Sequence, residues 1–231
     1  MTTSGRSVIA TGGTGALGRA VVRAFLEAGD RVVVPWIVEA ERAALMAAEP
    51  AAAGSGQLVW VEADVAEEDG ADRVATAAGA TDVLINGVGG FAGGSPVHDT
   101  PLEVWDRMYR MNVRSAVAMS RAALPGMIAR RRGVIVNVAS RAAFDRPASL
   151  AAYSAAKSAV VALTETLQRE VEAYGIRVGA VVPTTIDTPA NRAAMPDADP
   201  SAWTPPAQIA AAIRWLAGDE AACVRGALLP V

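Results

Sequence analysis

Tyr153-Ser154-Ala155-Ala156-Lys157, with Ser140 upstream, is the stretch whose residue types and spacing could do chemistry. If Ala151 to Gly175 is one helix, Tyr153 and Lys157 are four residues apart and share a face, one turn from each other. A phenol with a reference pKa near ~10 exchanges protons poorly at neutral pH. An ammonium held beside it favours the phenolate and draws that pKa toward the working range. Ser140 could hydrogen-bond a substrate oxygen and steady the charge developing there. Together these groups could move a proton on or off a carbonyl or alcohol oxygen. Tyr-x-x-x-Lys alone is a weak pattern, because such pairs arise by chance on many exposed helix faces. Support has to come from the rest of the chain.

Composition narrows the classes. A chain of 231 residues, 52% hydrophobic, can bury one substantial core, so a single domain over residues 1–231 is expected. Charged residues are 19% of the total and the formal net charge is −3, which argues against a nucleic-acid partner. The basic run Arg130-Arg131-Arg132 reads as a solvated helix end. One cysteine, Cys223, rules out an intrachain disulfide, and with one histidine, His98, it argues against a zinc site; no metal is expected. No apolar run approaches the ~20 residues of a membrane span, and the N-terminus lacks the apolar stretch of a signal peptide. The expectation is a cytoplasmic protein with no membrane partner.

The elements that must position the chemistry alternate. Val8-Ile9-Ala10, Arg31 to Val34, Leu58 to Val61, Asp82 to Ile85, Val134 to Val138 and Ile176 to Val182 read as strands, apolar on both parities and so covered on both faces. Ala16 to Ala28, Glu39 to Ala48, Glu67 to Gly79, Leu102 to Ala129 and Ala151 to Tyr174 read as helices, with Gly29 and Gly175 as stops. A last helix, Pro206 to Ala217, leads to a seventh strand at Ala227-Leu228-Leu229. Ala51 to Gly56 reads as a small-residue loop and Ala193 to Pro206 as a proline-rich one. Strand–helix alternation predicts an α/β fold of three layers, a doubly wound, seven-stranded parallel sheet.

The first strand runs into Thr11-Gly12-Gly13-Thr14-Gly15-Ala16-Leu17-Gly18, and a helix follows. Gly13, Gly15 and Gly18 satisfy G-x-G-x-x-G; Gly12, Gly15 and Gly18 satisfy G-x-x-G-x-x-G. Glycine lets the backbone turn tightly and approach a pyrophosphate, while the helix N-terminus offers amide donors and positive potential. Asp64, after the third strand, could accept from an adenine amine or cap the next helix. Asn86-Gly87-Val88-Gly89-Gly90, after the fourth, would let a nucleotide lie against the backbone. Asn112 is a poor helix former inside a long helix. It makes sense if its side chain or a loosened backbone carbonyl holds a water beside Lys157.

From about Arg6 to Val231 the chain resembles the short-chain dehydrogenase/reductase family. The likeness rests on the glycine turn, Asp64, Asn86 to Gly90, Asn112, Ser140, the Tyr153–Lys157 pair, and Pro183 with Thr188. It implies a Rossmann fold and a catalytic set of Asn112, Ser140, Tyr153 and Lys157, with Tyr153 the usual thirteen residues after Ser140. It implies hydride transfer between a nicotinamide and a ketone or alcohol. Cofactor contacts are implied at Gly12, Thr14, Gly15, Ala16, Leu17, Gly18, Trp36, Asp64, Val65, Asn86, Gly87, Val88, Tyr153, Lys157, Pro183, Thr185, Ile186 and Thr188, the last binding the carboxamide. A homodimer or homotetramer, built through the two long helices, is also implied.

There are departures. Ala16 stands where the family has glycine, Asn86-Gly87-Val88-Gly89 replaces N-N-A-G, and Pro183-Thr184 replaces P-G. Two of these, with Gly89-Gly90-Phe91-Ala92-Gly93-Gly94 and the stretch Ile186 to Arg192 leading through Met195-Pro196 to Trp203-Thr204-Pro205, resemble the quinonoid dihydropteridine reductases, which lack a serine at the position of Ser140. Pterin reduction is therefore one alternative, and a cofactor-binding sensor without chemistry is another. Trp36 occupies the place where an acid would mark NAD. Its absence favours NADP, with Arg42 nearby, and Trp36 could stack on adenine or pack as core. Phe91, Phe144, Met195 and Trp203 suggest an apolar pocket lining. His98 reads as a surface-loop residue, and Arg141, Arg146 and Arg192 as solvated charges.

Overall fold

The computed structural model describes residues 5–231; residues 1–4, which the expected domain includes, lie outside the described residues. The strands are β1 (Ser7–Thr11), β2 (Arg31–Trp36), β3 (Leu58–Glu62), β4 (Thr81–Asn86), β5 (Gly133–Val138), β6 (Ile176–Val182) and β7 (Leu228–Pro230). They form one parallel sheet in the order β3-β2-β1-β4-β5-β6-β7. The chain winds outward from β1 to β3, then crosses back to place β4 beside β1. That reversal opens a crevice at the carboxyl ends of β1 and β4, where sheets of this kind bind ligands.

Alternation along each strand divides the core. Val8, Ala10, Val32, Val34, Val83, Ile85, Val136 and Val181 face α1 (Ala16–Glu27) and, after the sixth strand, the helix Pro206–Leu216. Ile9, Val33, Leu84, Ile135 and Val178 face α4 (Glu68–Ala78), α6 (Ser115–Arg130) and, beyond the short α7 (Ala142–Asp145), α8 (Ala151–Val171). Both parities are therefore covered, which explains the continuous β-branched runs. α1 fits its layer through Val21, Val22, Phe25 and Leu26, a stripe at helical spacing.

Two sequence expectations need correction. Ala51 to Gly56 is not a loop: α2 (Glu39–Ala48) is followed by α3 (Pro50–Ser55). Pro50 fits the first helical turn, the alanines continue it, and Gly56 at φ 76° ends it. The helix expected over Leu102 to Ala129 is interrupted. α5 (Leu102–Tyr109) passes through a π turn at Arg110–Arg114 before α6. Side chains compete for backbone acceptors there: Asn112 Nδ2 donates to the Met108 carbonyl at 3.0 Å, and Ser115 Oγ to that of Met111 at 2.6 Å.

Close backbone approach fixes the glycine turn. Gly12 has φ 67°, and a Cβ there would lie 2.6 Å from the Gly87 carbonyl oxygen. A Cβ on Gly18 would collide with the Gly12 carbonyl, whereas one on Gly15 would meet nothing nearer than 3.4 Å. Gly18→Ala is therefore expected to lower unfolding stability by about 2–4 kcal/mol, because α1 must move off the turn. Gly15→Ala should change it by less than about 0.5 kcal/mol. Urea unfolding of the two variants checks the contrast.

Candidate active site

At the head of the crevice the turns after β1 and β4 are bonded together. Thr11 Oγ1 donates to the Ile85 carbonyl at 3.1 Å and accepts from the amides of Gly87 (3.0 Å) and Val88 (3.3 Å). α1 begins beside this junction, and its N-cap residue Gly15 makes no side-chain capping bond. The first-turn amides are left for a ligand, as in helix-terminal phosphate sites. Ala16 is exposed at that terminus, while Leu17 leans on the core.

The second half of the site lies where β5 meets α8. Ser140 and Lys157 are 8% and 5% exposed. Lys157 Nζ donates to the Val138 carbonyl at 2.8 Å and stands 5.9 Å from the centre of the Tyr153 ring. Ser140 favours the ionised form of the Tyr153 phenol, and its Oγ accepts from the Ala142 amide at 3.2 Å. Phe91 packs edge-on against Tyr153, ring centres 5.1 Å apart. A cleft of about 390 Å³ opens beside Phe91, lined also by Ser95, Val104, Arg107 and Ala152.

The expected electrostatics are not all present. Burial alone brings the Lys157 amine down from 10.5 to about 8. Burial likewise pushes the Tyr153 phenol above its ordinary value, and the Ser140 hydrogen bond opposes this. The lysine is not among the groups that shift the tyrosine. Four-residue spacing places its amine near the ring, but the amine is turned to the β5 carbonyl.

Asn112 is 2% exposed in the π turn. Its side chain clamps the loop after β4: Oδ1 accepts from the Gly90 amide at 3.3 Å, and Nδ2 donates to the Gly90 carbonyl at 3.1 Å. This clamp commits the side chain, the first of the two options for holding a water beside Lys157. Gly89 sits between the two groups; a Cβ there would lie 2.8 Å from Asn112 Oδ1 and 3.4 Å from Lys157 Nζ. Ser140, Tyr153, Lys157 and Asn112 are thus drawn around one point at the ends of β4 and β5.

Other candidates separate into those whose side chains face the crevice region and those that support it. Trp36 is half-buried with the Arg42 guanidinium 5.1 Å from its ring centre, so it is a packing partner of Arg42. Asp64 is not the cap of α4, whose N-cap is Glu67: its Oδ1 accepts from the Ala66 amide at 2.9 Å in the turn before the helix, and its Oδ2 pairs with Arg110 at 2.9 Å. Val65 has its side chain in the core, 4% exposed, which leaves its backbone as the contact surface. The Asn86 side chain points into the interior, donating to Asn137 Oδ1 at 2.8 Å and Ser120 Oγ at 3.3 Å, so only its backbone borders the crevice. Pro183 is buried and its carbonyl accepts from the Arg141 amide, joining the turns after β5 and β6. Thr185 and Ile186 are half-buried in the following loop, closed by the Thr204 amide on the Thr185 carbonyl. The Thr188 hydroxyl caps the helix Pro189–Ala194 by accepting from the Asn191 amide at 3.1 Å.

His98 is exposed in a 3₁₀ turn, and Arg141 and Arg192 pair with Asp145 and Asp187. Thr11, Asn137 and Thr164 were missed. Their signal is a hydrophilic residue ending or facing an otherwise apolar strand.

A family model described as short chain dehydrogenase matches residues 6–199. The 2-(R)-hydroxypropyl-CoM dehydrogenase of Xanthobacter autotrophicus is 34% identical, over 97% of this chain and 96% of that protein. The cis-4-hydroxycyclohexanecarboxylate dehydrogenase of Sinomonas cyclohexanicum is 33% identical, over 98% and 94%. Among solved structures, a 3-oxoacyl-[acyl-carrier protein] reductase with bound NAD from Brucella melitensis superposes with TM-score 0.88 at 29% identity, over 100% of this chain and 90% of that one. The chain belongs to the short-chain dehydrogenase family. It is an NAD(P)-dependent oxidoreductase acting on an alcohol/ketone pair. The site suits such a dinucleotide: the helix terminus has no side-chain cap, and the β1 and β4 turns are kept open by glycines, of which Gly12, Gly18 and Gly87 have no room for a Cβ. No helix among the described residues is long and apolar enough to cross a membrane.

Two measurements follow from this geometry. Thr11→Val keeps the shape but leaves two amides without their acceptor, so urea unfolding should show a loss of about 1–3 kcal/mol. Because the folded-state pKa of Lys157 is depressed, the unfolded chain binds more protons between about pH 8 and 10.5. Across that window, the stability of the native protein relative to Lys157→Met should rise with pH, by up to about 1.4 kcal/mol per unit. A flat difference would mean the amine titrates normally when folded.

Proposed function

We propose that Tyr153 is the proton-transferring group in the reversible oxidation of a secondary alcohol to its ketone, with Ser140 binding the same oxygen. The observation that carries this is the half-buried Tyr153 phenol with Ser140 favouring its ionised form and the buried Lys157 amine 5.9 Å from its ring centre. When bound, the dinucleotide supplies the hydride donor or acceptor. Lys157 would hold the nicotinamide ribose hydroxyls through its remaining protons, and its charge, kept by those contacts, would favour the phenolate. Asn112 would keep the β4 loop in place and offer its backbone carbonyl to a water linking Lys157 to solvent. Thr188 would meet the carboxamide, and Asp64 the adenine amine. The amides of Thr14 to Gly18 would bind the pyrophosphate.

Residues 1–231 would act as one dinucleotide-binding domain. The names of both curated relatives denote alcohol oxidation on small carbon skeletons, which supports a small hydroxyl-bearing substrate here. Exposed Phe91, Phe144 and Met195 would supply its apolar contacts. The outer faces of α6 and α8 would join copies into a homodimer or homotetramer. The cytoplasm is the proposed location, a reducing compartment suited to a single exposed cysteine. By the strand-end criterion the dinucleotide would be NADP; the side chains around Trp36 weigh the other way.

Tyr153→Phe should lose nearly all turnover, on the order of 10³-fold or more, while nucleotide binding measured by fluorescence stays close to native. The assay follows oxidation of NADH and NADPH against a panel of ketones that includes a quinonoid dihydropterin. Native-like rates in the variant would sink the assignment, and nucleotide binding with no turnover in the native protein would favour a sensor.

A further inference from the structure

Selection at the 2′ position of the adenosine ribose can be read from the end of β2. No carboxylate stands there, because the strand closes on Trp36. The following helix brings one to the same place. Glu41, in the first turn of α2, accepts a hydrogen bond through Oε2 from Thr14 Oγ1 at 2.8 Å. Thr14 belongs to the glycine turn and is 7% exposed. The contact therefore pins a carboxylate against the turn that would hold the pyrophosphate and its neighbouring ribose. Among the described residues Glu41 Oε1 has no partner.

The cation beside Trp36 is already committed. Arg42 is bound by both oxygens of Glu39, at 2.8 and 2.5 Å, and its guanidinium lies 5.1 Å from the Trp36 ring centre and 5.9 Å from that of Trp60. A guanidinium bound by two carboxylate oxygens and stacked near two indoles would have to give up that pairing to take a phosphate. Glu62 adds a further negative charge, opposite Trp36 in the β2–β3 register. Arg19 is the other cation near the turn, with its Nε on the Thr14 carbonyl at 2.8 Å. Three carboxylates, Glu39, Glu41 and Glu62, thus outnumber two guanidiniums here.

We infer that Glu41 accepts the adenosine ribose hydroxyls and selects NAD over NADP, in place of the strand-end acid this chain lacks. The inference rests on the dinucleotide reading of the site. A ribose 2′-hydroxyl can donate to the free carboxylate oxygen, whereas a 2′-phosphate carries a charge of about −2 and has only acceptors to offer it. Selection then comes from repulsion of the wrong nucleotide as well as attraction of the right one. The strand-end criterion considers position 36 alone and misses an acid delivered five residues later by a helix.

The test is a fluorescence titration of the native protein and of Glu41→Gln with NADH and with NADPH, thermal unfolding confirming that the variant is folded. The native protein should bind NADH at least roughly tenfold more tightly, the scale of one charge-assisted hydrogen bond. Glu41→Gln should weaken NADH and strengthen NADPH, so that the ratio falls several-fold. A native preference for NADPH, or a ratio unchanged by Glu41→Gln, would overturn the inference while leaving the dinucleotide reading intact. Failure to bind either nucleotide would overturn both.

Discussion

The upper half of the site depends on a lysine amine buried with one backbone carbonyl as its partner. Val138 ends β5, and its carbonyl accepts from Lys157 Nζ at 2.8 Å. Desolvation makes such an ammonium costly, and the fold concedes part of that cost by bringing the amine's pKa down to about 8. Other constraints follow from the same contact. The loop after β4 passes between the amine and Asn112, whose Oδ1 leaves position 89 no room for a side chain. That loop, rich in glycine, has little conformational preference of its own and is held by Asn112 through both the amide and the carbonyl of Gly90. Asn112 reaches it from a helix that has widened to a π turn, with an extra contact to the Met108 carbonyl. A buried amine, a glycine, an asparagine and a helix defect that are far apart in sequence thus meet at one place.

Below this lies a polar row across the carboxyl ends of otherwise apolar strands. In register, Thr11 of β1 stands beside Asn86 of β4, and Asn86 beside Asn137 of β5. Thr11 binds the β4 turn, Asn86 binds Asn137, and Asn137 Nδ2 donates to Thr164 Oγ1 of α8 at 2.8 Å. Buried amides are tolerable because they bond one another, although Asn86 Oδ1 has no partner among the described residues. The row sets the separation between the β1–β4 crevice and α8, and so between the place for a dinucleotide and Tyr153. A core of valines alone would leave these turns free to shift relative to one another.

Most of the architecture was readable because both parities of each strand are apolar, a signal that depends only on being covered on two faces. The seven strands and their parallel order follow from it. Helix ends were readable where glycine marks them, as at Gly175. Pro50–Ser55 was misread because alanine and glycine support a loop and a short helix equally well. The break at Arg110–Arg114 was invisible because its cause is a contact between Asn112 and a loop twenty-two residues upstream. Site residues defined by backbone geometry, such as Gly12 and Gly18, were plain in the sequence. The inward turn of the Asn86 side chain was not, since it is set by register with Asn137 on the neighbouring strand. Glu41 was missed for a related reason: its hydroxyl partner, Thr14, lies in another element, and i,i+4 reasoning does not cross elements.

The two titrating groups of the site also constrain the order of events. Burial raises the phenol of Tyr153 and lowers the amine of Lys157, so in the protein by itself the lysine loses its proton before the tyrosine does. Above about pH 8 the amine is neutral and gives the phenolate no help. Hydroxyl oxygens accepting from Nζ would extend the ammonium form to higher pH by replacing lost hydration. Under the proposed roles those oxygens belong to the nicotinamide ribose. Binding of the dinucleotide would then hold the lysine charged, lower the barrier to the phenolate, and ready Tyr153 before substrate arrives. Linkage requires the converse as well: if the nucleotide favours the protonated amine, protonation of the amine favours the nucleotide by the same factor.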